Sequence, residues 1–458
     1  MLVRQAFDGA EIAEIPVDDA GSLAAKLDRA IAAFADRPGW LPAFKRIEIL
    51  RRLARLMERD YDALAMMIAR EGGKPLADAR VETTRAINGV EIAVGELEHM
   101  GGREIPMGLT AASQDRWAFT TKEPIGVVAA ISAFNHPLNL IVHQVAPAIA
   151  TGCPVIIKPA ATTPLSCLRF VDLVHEAGLP EAWCQSLITE DNALAESLVT
   201  HPNTAFLSFI GSARVGWSLR AKLAPGARFA LEHGGAAPVI VDRSVDVDAI
   251  IEPLVKGGYY HAGQVCVSVQ RIFAHADILP QLVEKLTARV AALRVGDPTL
   301  PETEVGPLIL PREVERVAAW VDEAGQGGGR IATGGARISE RVYAPTVIVE
   351  PPATARVSRE EVFGPVTCVY GYTDLAEAVT RANSLPFAFQ ASVFARDIDV
   401  ALKAARSLDA SSVLVNDHTA FRTDWMPFAG RHQSGYGVGG IPYTMHDMTQ
   451  EKMIVFKG

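Results

Sequence analysis

Cys266 is the strongest candidate for a reactive side chain in this sequence. It lies within residues 259–271, which combine a helix end, a Gly-containing loop and the alternating apolar start of another element. The sulfur is therefore expected on a tight connection, where one side chain can face a cleft. A cysteine is a useful nucleophile only as the thiolate, so a base or a positive environment must come from another part of the chain.

Glu232 is the candidate for that base. An apolar run leads into Glu232 and is followed by Gly234, Gly235 and Pro238, a pattern that predicts a strand ending in a sharp turn with the carboxylate at its edge. A carboxylate in such a position can act as a general base. Each residue also has an ordinary interpretation, because most cysteines pack as small buried hydrophobes and a Glu beside glycines is usually solvated.

Composition and charge argue against several classes of protein. The 458 residues, with 49% hydrophobic content, predict two large lobes. A net charge of −9 without any block of Lys or Arg argues against nucleic-acid binding. The start of the chain lacks a signal pattern and the longest apolar stretch, 138–157, is interrupted by polar residues and prolines, so we expect a cytoplasmic protein without a membrane span. Five cysteines without a Cys-x-x-Cys motif indicate reduced thiols and no metal site.

Two series of elements are predicted to position the candidate residues. After a helical N-terminal region, four short apolar runs alternate with helical stretches, which predicts parallel strands with crossover helices and a nucleotide site at the carboxyl ends of the strands. The four runs are 126–131, 154–158, 205–210 and 228–232. A second α/β series would carry Cys266, with strands predicted at 238–241, 344–349, 391–394 and 411–415. The alternating tail, 452–457, favours pairing with another chain in a homodimer or homotetramer.

A weak cofactor signal lies between these strands. No Gly-x-Gly-x-x-Gly follows a predicted strand, so the usual dinucleotide fingerprint is absent. Gly211, Ser212 and Gly216 instead follow an apolar strand and open a helix, whose backbone N–H groups could bind a pyrophosphate. That spacing alone is common in strand-to-helix turns.

Six short motifs occur in order over nearly the full length of the chain. They are Ala133-Phe134-Asn135-His136-Pro137-Leu138, Lys158-Pro159-Ala160-Ala161-Thr162-Thr163-Pro164, Phe209-Ile210-Gly211-Ser212-Ala213-Arg214-Val215-Gly216, Leu231-Glu232-His233-Gly234-Gly235, Gly263-Gln264-Val265-Cys266 and Glu360-Glu361-Val362-Phe363-Gly364-Pro365-Val366. Together they resemble the NAD(P)-dependent aldehyde dehydrogenase superfamily, and are nearest to its phosphonoacetaldehyde and lactaldehyde dehydrogenase-like subgroup.

The resemblance implies an α/β, aldehyde dehydrogenase-like fold with a Rossmann-type cofactor lobe, an α/β catalytic lobe and a small oligomerisation sheet. It places the dinucleotide-binding domain at 1–108 and 124–234, and the catalytic domain at 235–428. The oligomerisation segments would be 109–123 and 441–458.

The same resemblance implies a site for NAD or NADP. Lys158 would bind the adenosine ribose, while Glu361 and Phe363 would hold the nicotinamide ribose and ring. Family members that are strict for NAD commonly have a Glu at the position of Ala161, where it repels a 2′-phosphate. Without that carboxylate, NADP is not excluded.

The implied reaction oxidises an aldehyde to its carboxylic acid. Cys266 would attack the carbonyl carbon, with Asn135 and the backbone N–H of Cys266 as the oxyanion hole. Hydride transfer would leave a thioester, which Glu232 would hydrolyse by activating a water. Two alternatives stay open: an enzyme that passes the acyl group to coenzyme A, a group that usually lacks this Glu, and a non-catalytic relative kept for binding or structure.

The expected substrate is a short aldehyde, possibly with an anionic tail like phosphonoacetaldehyde. By resemblance Arg85, His136 and Arg422 would form a cationic, anion-binding set. Each has an ordinary alternative: Arg85 on a solvated helix face, His136 as a satisfied histidine, and Arg422 paired with Asp424 or Asp417. Phosphonoacetaldehyde enzymes tend to carry Arg where this chain has Val265, so a monoanionic or neutral aldehyde is a serious alternative.

Overall fold

The computed structural model describes all 458 residues. Helices make up most of the N-terminal region and then alternate with strands. The α-helices are α1 (Ala20–Ala35), α2 (Ala43–Arg59), α3 (Tyr61–Gly72), α4 (Leu76–His99), α5 (Asn139–Thr151), α6 (Leu165–Glu176), α7 (Asn192–Val199), α8 (Ala213–Arg220), α9 (Val247–Tyr259), α10 (Leu279–Ala291), α11 (Pro311–Gln326), α12 (Arg356–Arg359), α13 (Leu375–Ala382), α14 (Ile398–Ser407) and α15 (Ile441–Asp447). No helix combines the length and the apolar composition that crossing a bilayer requires.

The strands form two large sheets and three small ones. They are β1 (Leu2–Arg4), β2 (Glu11–Glu14), β3 (Glu104–Ile105), β4 (Arg116–Pro124), β5 (Val127–Ile131), β6 (Val155–Lys158), β7 (Cys184–Ser186), β8 (Thr204–Ile210), β9 (Arg228–Glu232), β10 (Ala237–Val241), β11 (Val269–His275), β12 (Arg330–Thr333), β13 (Thr346–Val349), β14 (Val366–Tyr372), β15 (Phe387–Ala388), β16 (Gln390–Phe394), β17 (Ser412–Val415), β18 (Arg431–His432), β19 (Gly435–Tyr436) and β20 (Thr449–Lys457). Two of the small sheets are the pairs β1–β2 and β15–β18.

The first large sheet has the order β19-β9-β8-β5-β6-β7, and all its pairs are parallel except β19–β9. Both faces of β5 are buried: Val127 and Ala129 pack in one apolar cluster, and Val128 and Ala130 in another. Such a strand reads as a continuous apolar run, which is why the sequence predicts it well. The chain reverses its winding direction between β5 and β8, where open α/β sheets bind ligands at the carboxyl ends of their strands.

The second large sheet has the order β12-β13-β14-β11-β10-β16-β17, with only β12 antiparallel to its neighbour. Helices α9 to α11 and α13 to α14 contribute to a core of 47 buried residues around it. The loop between α9 and β11 carries Cys266. This sheet therefore positions Cys266, and it belongs to a lobe separate from the one that contains the first sheet.

The third sheet is antiparallel, in the order β20-β4-β3, and β20 pairs with all nine residues of β4. Its aromatic side chains Trp117 and Phe456 stack on one another and remain 56% and 52% exposed. Helix α15, in contrast, packs Ile441 and Met445 into the core of the first lobe. Only the part of residues 441–458 that follows α15 thus belongs to this small sheet.

The predicted α/β fold is confirmed, and the predicted strands lie within two or three residues of their observed bounds. In the two large sheets the sequence did not predict β7, β12, β14 and β19, and it left β11 open as the start of an unspecified element. Strand β14 is nevertheless a central strand, because it lies between β11 and β13. Its run, Val366–Tyr372, follows a turn in which Phe363 has a positive φ of 46° and is followed by Gly364. The strand itself contains Gly371, which weakens the strand pattern.

Candidate active site

A cavity of about 830 Å³ lies between the two lobes. The ends of β5, β8 and β9 reach it from the first lobe with Ile131, Ile210 and Glu232. The second lobe contributes Cys266 and Phe363. The cavity is thus located at the carboxyl ends of the parallel strands, as the predicted nucleotide site requires.

The loop before Cys266 has a strained backbone. His261 and Ala262 adopt positive φ values of 49° and 54°, and Gly263 follows at 70°. A Cβ on Gly263 would lie 2.1 Å from the carbonyl oxygen of Gly364, so the close approach of these two loops needs glycine. Left-handed conformations at non-glycine residues cost about 1 kcal/mol or more each and are held only by surrounding structure. The contact therefore joins the Cys266 loop rigidly to the loop that carries Glu361 and Phe363.

Cys266 is the only one of the five cysteines that is not buried; none forms a disulfide. Burial within the cavity raises the pKa of its thiol to about 12, the Glu361 and Glu232 carboxylates raise it too, and Arg422 lowers it. In the ligand-free protein the sulfur is consequently a neutral thiol near pH 7, and its activation requires a proton acceptor.

Alkylation of Cys266 in the absence of dinucleotide should therefore accelerate with pH. Because the thiol pKa is raised to about 12, the thiolate fraction increases about tenfold for each pH unit below that value. The rate of iodoacetamide incorporation at Cys266, followed by mass spectrometry of the peptide, measures it. A rate that levels off near neutral pH would contradict the assignment of a neutral thiol.

Asn135 lies beside the Cys266 loop and is 5% exposed. Its side-chain Nδ2 donates to the backbone carbonyl of Gln264 at 2.9 Å. The Gln264 side chain in turn donates to the carbonyl of Pro307 at 3.1 Å and accepts from the N–H of Ile309 at 2.9 Å. The Asn135 amide, which is expected to stabilise an oxyanion, is thus held by Gln264, two residues before Cys266 in the chain. Asn135 also lines the cavity.

Glu232 is the last residue of β9 and lines the same cavity. A Cβ on Gly439 would lie 2.0 Å from its carboxyl oxygen Oε1, so glycine at that position makes room for the side chain. Burial raises the pKa of Glu232, and Arg422 opposes that shift. A carboxyl group with a raised pKa can accept a proton from water or thiol at a pH closer to neutral than an exposed Glu can.

Four of the seven expected cofactor residues line the cavity, and three do not. Gly211, Ser212, Glu361 and Phe363 line it, whereas Lys158 and Ala161 do not. Lys158 ends β6 in register with Ile131, whose side chain does reach the cavity.

Gly216 also lies outside the lining. A Cβ at Gly216 would stand 2.1 Å from the His233 ring, so this glycine allows α8 to pack against His233. Gly216 thus packs against His233, while Gly211, Ser212, Arg214 and Val215 of the same turn line the cavity.

The lining near the start of α8 fits a dinucleotide. Helix α8 has no side-chain cap at Ser212, which leaves its first N–H groups free beside the cavity, and such groups bind phosphate. Nε2 of His233 is buried without a hydrogen-bond partner. A Cβ on Gly234 would overlap the Glu361 carboxylate at 1.7 Å, and the N–H of Gly235 donates to that carboxylate at 3.1 Å.

A charged cluster surrounds Asp424, and three of its members, Arg85, Asn139 and Arg422, line the cavity. Arg85 donates to both oxygens of this carboxylate, from Nη2 at 2.7 Å and Nε at 3.1 Å. Asn139 Nδ2 lies 3.1 Å and His143 Nε2 lies 2.7 Å from Oδ1. Although burial opposes it, the contacts with His143 and Arg85 hold the pKa of Asp424 well below its usual range.

Arg422 is the unpaired cation of this cluster. Its guanidinium lies 3.5 Å from the centroid of the Phe428 ring, and its Nη2 lies 3.5 Å from Nδ1 of His143. Its Nε is buried without any hydrogen-bond partner. Burial and Arg422 lower the pKa of His143 to about 4, so the ring is neutral, carries its proton on the Nε2 that faces Asp424, and adds no charge.

The expected set of three cations needs a correction. Arg85, His136 and Arg422 do line one cavity, but burial, with Lys74 and Arg85 nearby, lowers the pKa of His136 well below its usual value. His136 is a neutral ring within 3.2 Å of the Tyr260 hydroxyl. Since Asp424 compensates Arg85, the cluster retains one uncompensated positive charge, on Arg422.

The sequence offers Asp424 only as a possible partner of Arg422. Asn139 and His143, which bind Asp424 in the structure, are not among the predicted site residues. Asn139 and His143 are four residues apart on α5, a spacing that places two side chains on one helix face. That signal could have paired them with each other. Nothing in the sequence indicates that the same face meets Asp424, 281 residues beyond His143.

Comparison with known proteins identifies the family to which the chain belongs. Residues 1–454 match the Aldehyde dehydrogenase family. The chain belongs to the aldehyde dehydrogenase family. The expected family and enzyme class, oxidation of an aldehyde with NAD or NADP, are thereby confirmed.

Individual relatives of this aldehyde dehydrogenase cover it almost completely. The 3-sulfolactaldehyde dehydrogenase of Priestia aryabhattai is 36% identical over 90% of the chain and 86% of the relative. Aldehyde dehydrogenase 21 from Physcomitrella patens, solved with its reaction product succinate, has a TM-score of 0.96 at 33% identity and covers 100% of this chain and 95% of its own. Glyceraldehyde-3-phosphate dehydrogenase from Methanocaldococcus jannaschii, complexed with NADP, has a TM-score of 0.94 at 32% identity and covers 100% and 99%.

Proposed function

We propose that this aldehyde dehydrogenase oxidises a short aldehyde that bears one negative charge on its tail to the corresponding acid. The observation that carries the proposal is the Arg422 guanidinium, which makes no salt bridge, has a buried Nε without a hydrogen-bond partner, and shares a cavity with Cys266 and Glu232. A buried cation without a partner is costly, and an anionic ligand group relieves that cost. Two of the relatives agree with this chemistry, since 3-sulfolactaldehyde carries one sulfonate and succinate is a short carboxylate product.

A doubly charged phosphonate fits this cavity less well. Such a tail needs a second free cation, and Val265, beside the nucleophile, is an apolar residue that packs against Phe389 and Phe428. The phosphonoacetaldehyde-like substrate suggested by the motifs is therefore replaced by a monoanionic one. A neutral, apolar tail would leave the buried Nε of Arg422 without a hydrogen-bond partner.

The residues of the cavity divide the reaction between them. Cys266 gives its proton to Glu232, which releases it to solvent, and the sulfur forms a bond to the aldehyde carbon, while the Asn135 amide and the backbone N–H of Cys266 donate to the oxygen that becomes negative. NAD or NADP, when bound, accepts the hydride that leaves this carbon. Glu232 then takes a proton from water, the hydroxide adds to the thioester carbon, and the carbon–sulfur bond breaks to return Cys266.

Both dinucleotides are proposed as cofactors. Gly211 and Ser212 would receive the phosphates, and Glu361 and Phe363 would hold the nicotinamide riboside, as the lining of the cavity supports. Lys158 would bind the adenosine ribose. Because Ala161 carries no carboxylate, nothing at that position repels a 2′-phosphate. Steady-state assays with each dinucleotide decide the preference.

Arg422→Met tests the proposed substrate class. We expect kcat/KM for succinic semialdehyde to fall about 10- to 100-fold, because a hydrogen bond to a charged group contributes about 1.5–3 kcal/mol. For butanal, which has no charge to bind, the change should stay within about threefold, and it is the internal control. A wild-type enzyme that prefers butanal, or a variant that loses both activities equally, would contradict the proposal.

A homodimer or homotetramer is proposed as the assembly. The support is the β20-β4-β3 sheet, whose exposed residues Trp117, Met453 and Phe456 are large and apolar.

The proposed cytoplasmic location is supported by five free thiols. The domain bounds, 1–108 with 124–234 and 235–428, are kept as proposals, and the two separate large sheets agree with them.

A further inference from the structure

Asp424 is buried behind the side chains that donate hydrogen bonds to its carboxylate. It is 1% exposed and does not line the cavity. Its carboxylate nevertheless receives both donors of Arg85, the amide of Asn139 and the ring N–H of His143. An ionised carboxylate can only accept hydrogen bonds, so all four contacts agree with a permanent negative charge one layer behind the substrate end of the cavity.

That charge acts unequally on the two guanidinium groups. Arg85 and Arg422 both line the cavity, but Asp424 binds Arg85 through two hydrogen bonds and makes none with Arg422. The neighbour of Arg422 is the His143 ring at 3.5 Å, which faces Asp424 with its other nitrogen. One of the two positive charges is thereby compensated and the other is free.

We propose that Asp424 sets the charge of the aldehyde that the enzyme accepts, by compensating Arg85 and leaving Arg422 as the single free cation. Asp424 is a positioning residue in this account, because it does not reach the cavity itself. The inference rests on the proposed function. It adds that the preference for a substrate with one negative charge follows from the sum of the charges on Arg85, Arg422 and Asp424. Changing that balance should change the preferred tail charge without any change in the residues around Cys266.

Three aldehydes of similar length and different charge test the balance: butanal, succinic semialdehyde and glyceraldehyde 3-phosphate, assayed at alkaline pH. In Asp424→Asn, Arg85 loses its counter-charge and two free cations face the tail. We expect the ratio of kcat/KM for the doubly charged aldehyde to that for the singly charged one to rise about tenfold or more. In Arg85→Met the cluster has no net charge, and the preference for succinic semialdehyde over butanal should fall about tenfold.

The double variant Arg85→Met with Asp424→Asn separates charge from damage to the fold. It removes one charge of each sign, so the wild-type preference for one negative charge should return to within about threefold, although both partners of the ion pair are missing. Asp417→Asn is the matched control, since the Asp417 side chain is 42% exposed and contacts only the N–H of His418 and its ring. Glu232 and Glu361 are the same in every variant, so they do not enter the comparison.

Each outcome bears on one proposal. If wild type shows no preference for the singly charged aldehyde, the proposed function fails before any variant is compared. If wild type shows the preference but Asp424→Asn leaves the ratio of doubly to singly charged substrate unchanged, the role of Asp424 is overturned. If Asp424→Asn unfolds at a lower temperature, the double variant decides: restored preference supports charge balance, and a preference unlike that of wild type overturns it.

Discussion

Cys266→Ser is expected to abolish aldehyde oxidation, with a fall in kcat of about 10³-fold or more and no burst of NADH or NADPH on mixing. Nucleophile removal produces effects of at least this size in enzymes that use covalent catalysis. A serine hydroxyl has a far higher pKa than a thiol, and Cys266 already lies in a site that raises the thiol pKa to about 12. Stopped-flow absorbance at 340 nm with enzyme in excess measures the burst.

A second cysteine supplies the control for this experiment. Cys153 is buried outside the cavity and its sulfur donates to the carbonyl of Met448 at 3.3 Å. A serine there keeps a donor of similar size, so Cys153→Ser should retain both burst and turnover. If Cys266→Ser keeps the burst, covalent capture at this sulfur is wrong. Loss of activity in both variants would instead indicate damage to the fold.

The fold and the positions of Cys266 and Glu232 at the ends of elements could be predicted from the sequence because each is specified locally, whereas their catalytic roles were inferred from the family resemblance. Glu232 ends an apolar run and precedes a glycine pair, and Cys266 follows a glycine after a helix. Such patterns define strand ends and tight connections within a few residues. Parallel strands place their carboxyl ends along one edge, so local patterns were enough to bring these side chains near one cavity.

The charge of the substrate end could not be predicted in the same way. Arg85 pairs with Asp424 across 339 residues, and which of two arginines receives the carboxylate depends on how α4 and α5 pack. The sequence shows two arginines, two histidines and an aspartate, and does not show which are neutral. Protonation follows from burial and from neighbours, and both appear only in three dimensions.

The same reason explains the boundary at residue 441. The tail predicts a pairing strand by its alternation, and β20 does pair with β4. Helix α15, seven residues long, is too short to be distinguished from a loop by periodicity. Its buried residues, Ile441 and Met445, meet α4 and α5 of the first lobe. The C-terminal region therefore links the core of the cofactor lobe to the small sheet.

Glu232→Gln is expected to separate the two halves of the reaction. The first half needs the Cys266 thiolate, which loss of the proton to solvent can still generate for a single turnover, so about one equivalent of NADH or NADPH per active site should still appear, at a lower rate than in wild type. The second half needs a base for water, so the steady rate should then fall about 10²- to 10⁴-fold, the usual contribution of a general base. The acylated Cys266 should be visible in the intact mass of the protein after the burst.

The stalled thioester also tests the alternative activity. Hydroxylamine attacks a thioester without a general base, so it should restore turnover in Glu232→Gln but not in Cys266→Ser, which cannot form the thioester. Coenzyme A is the informative comparison, because an enzyme built to transfer the acyl group to a thiol needs Cys266 and does not need Glu232. Full turnover of Glu232→Gln with coenzyme A would contradict hydrolysis as the physiological step. The raised pKa of Glu232 in a buried position that Gly439 leaves open for it is the reason to expect the opposite result.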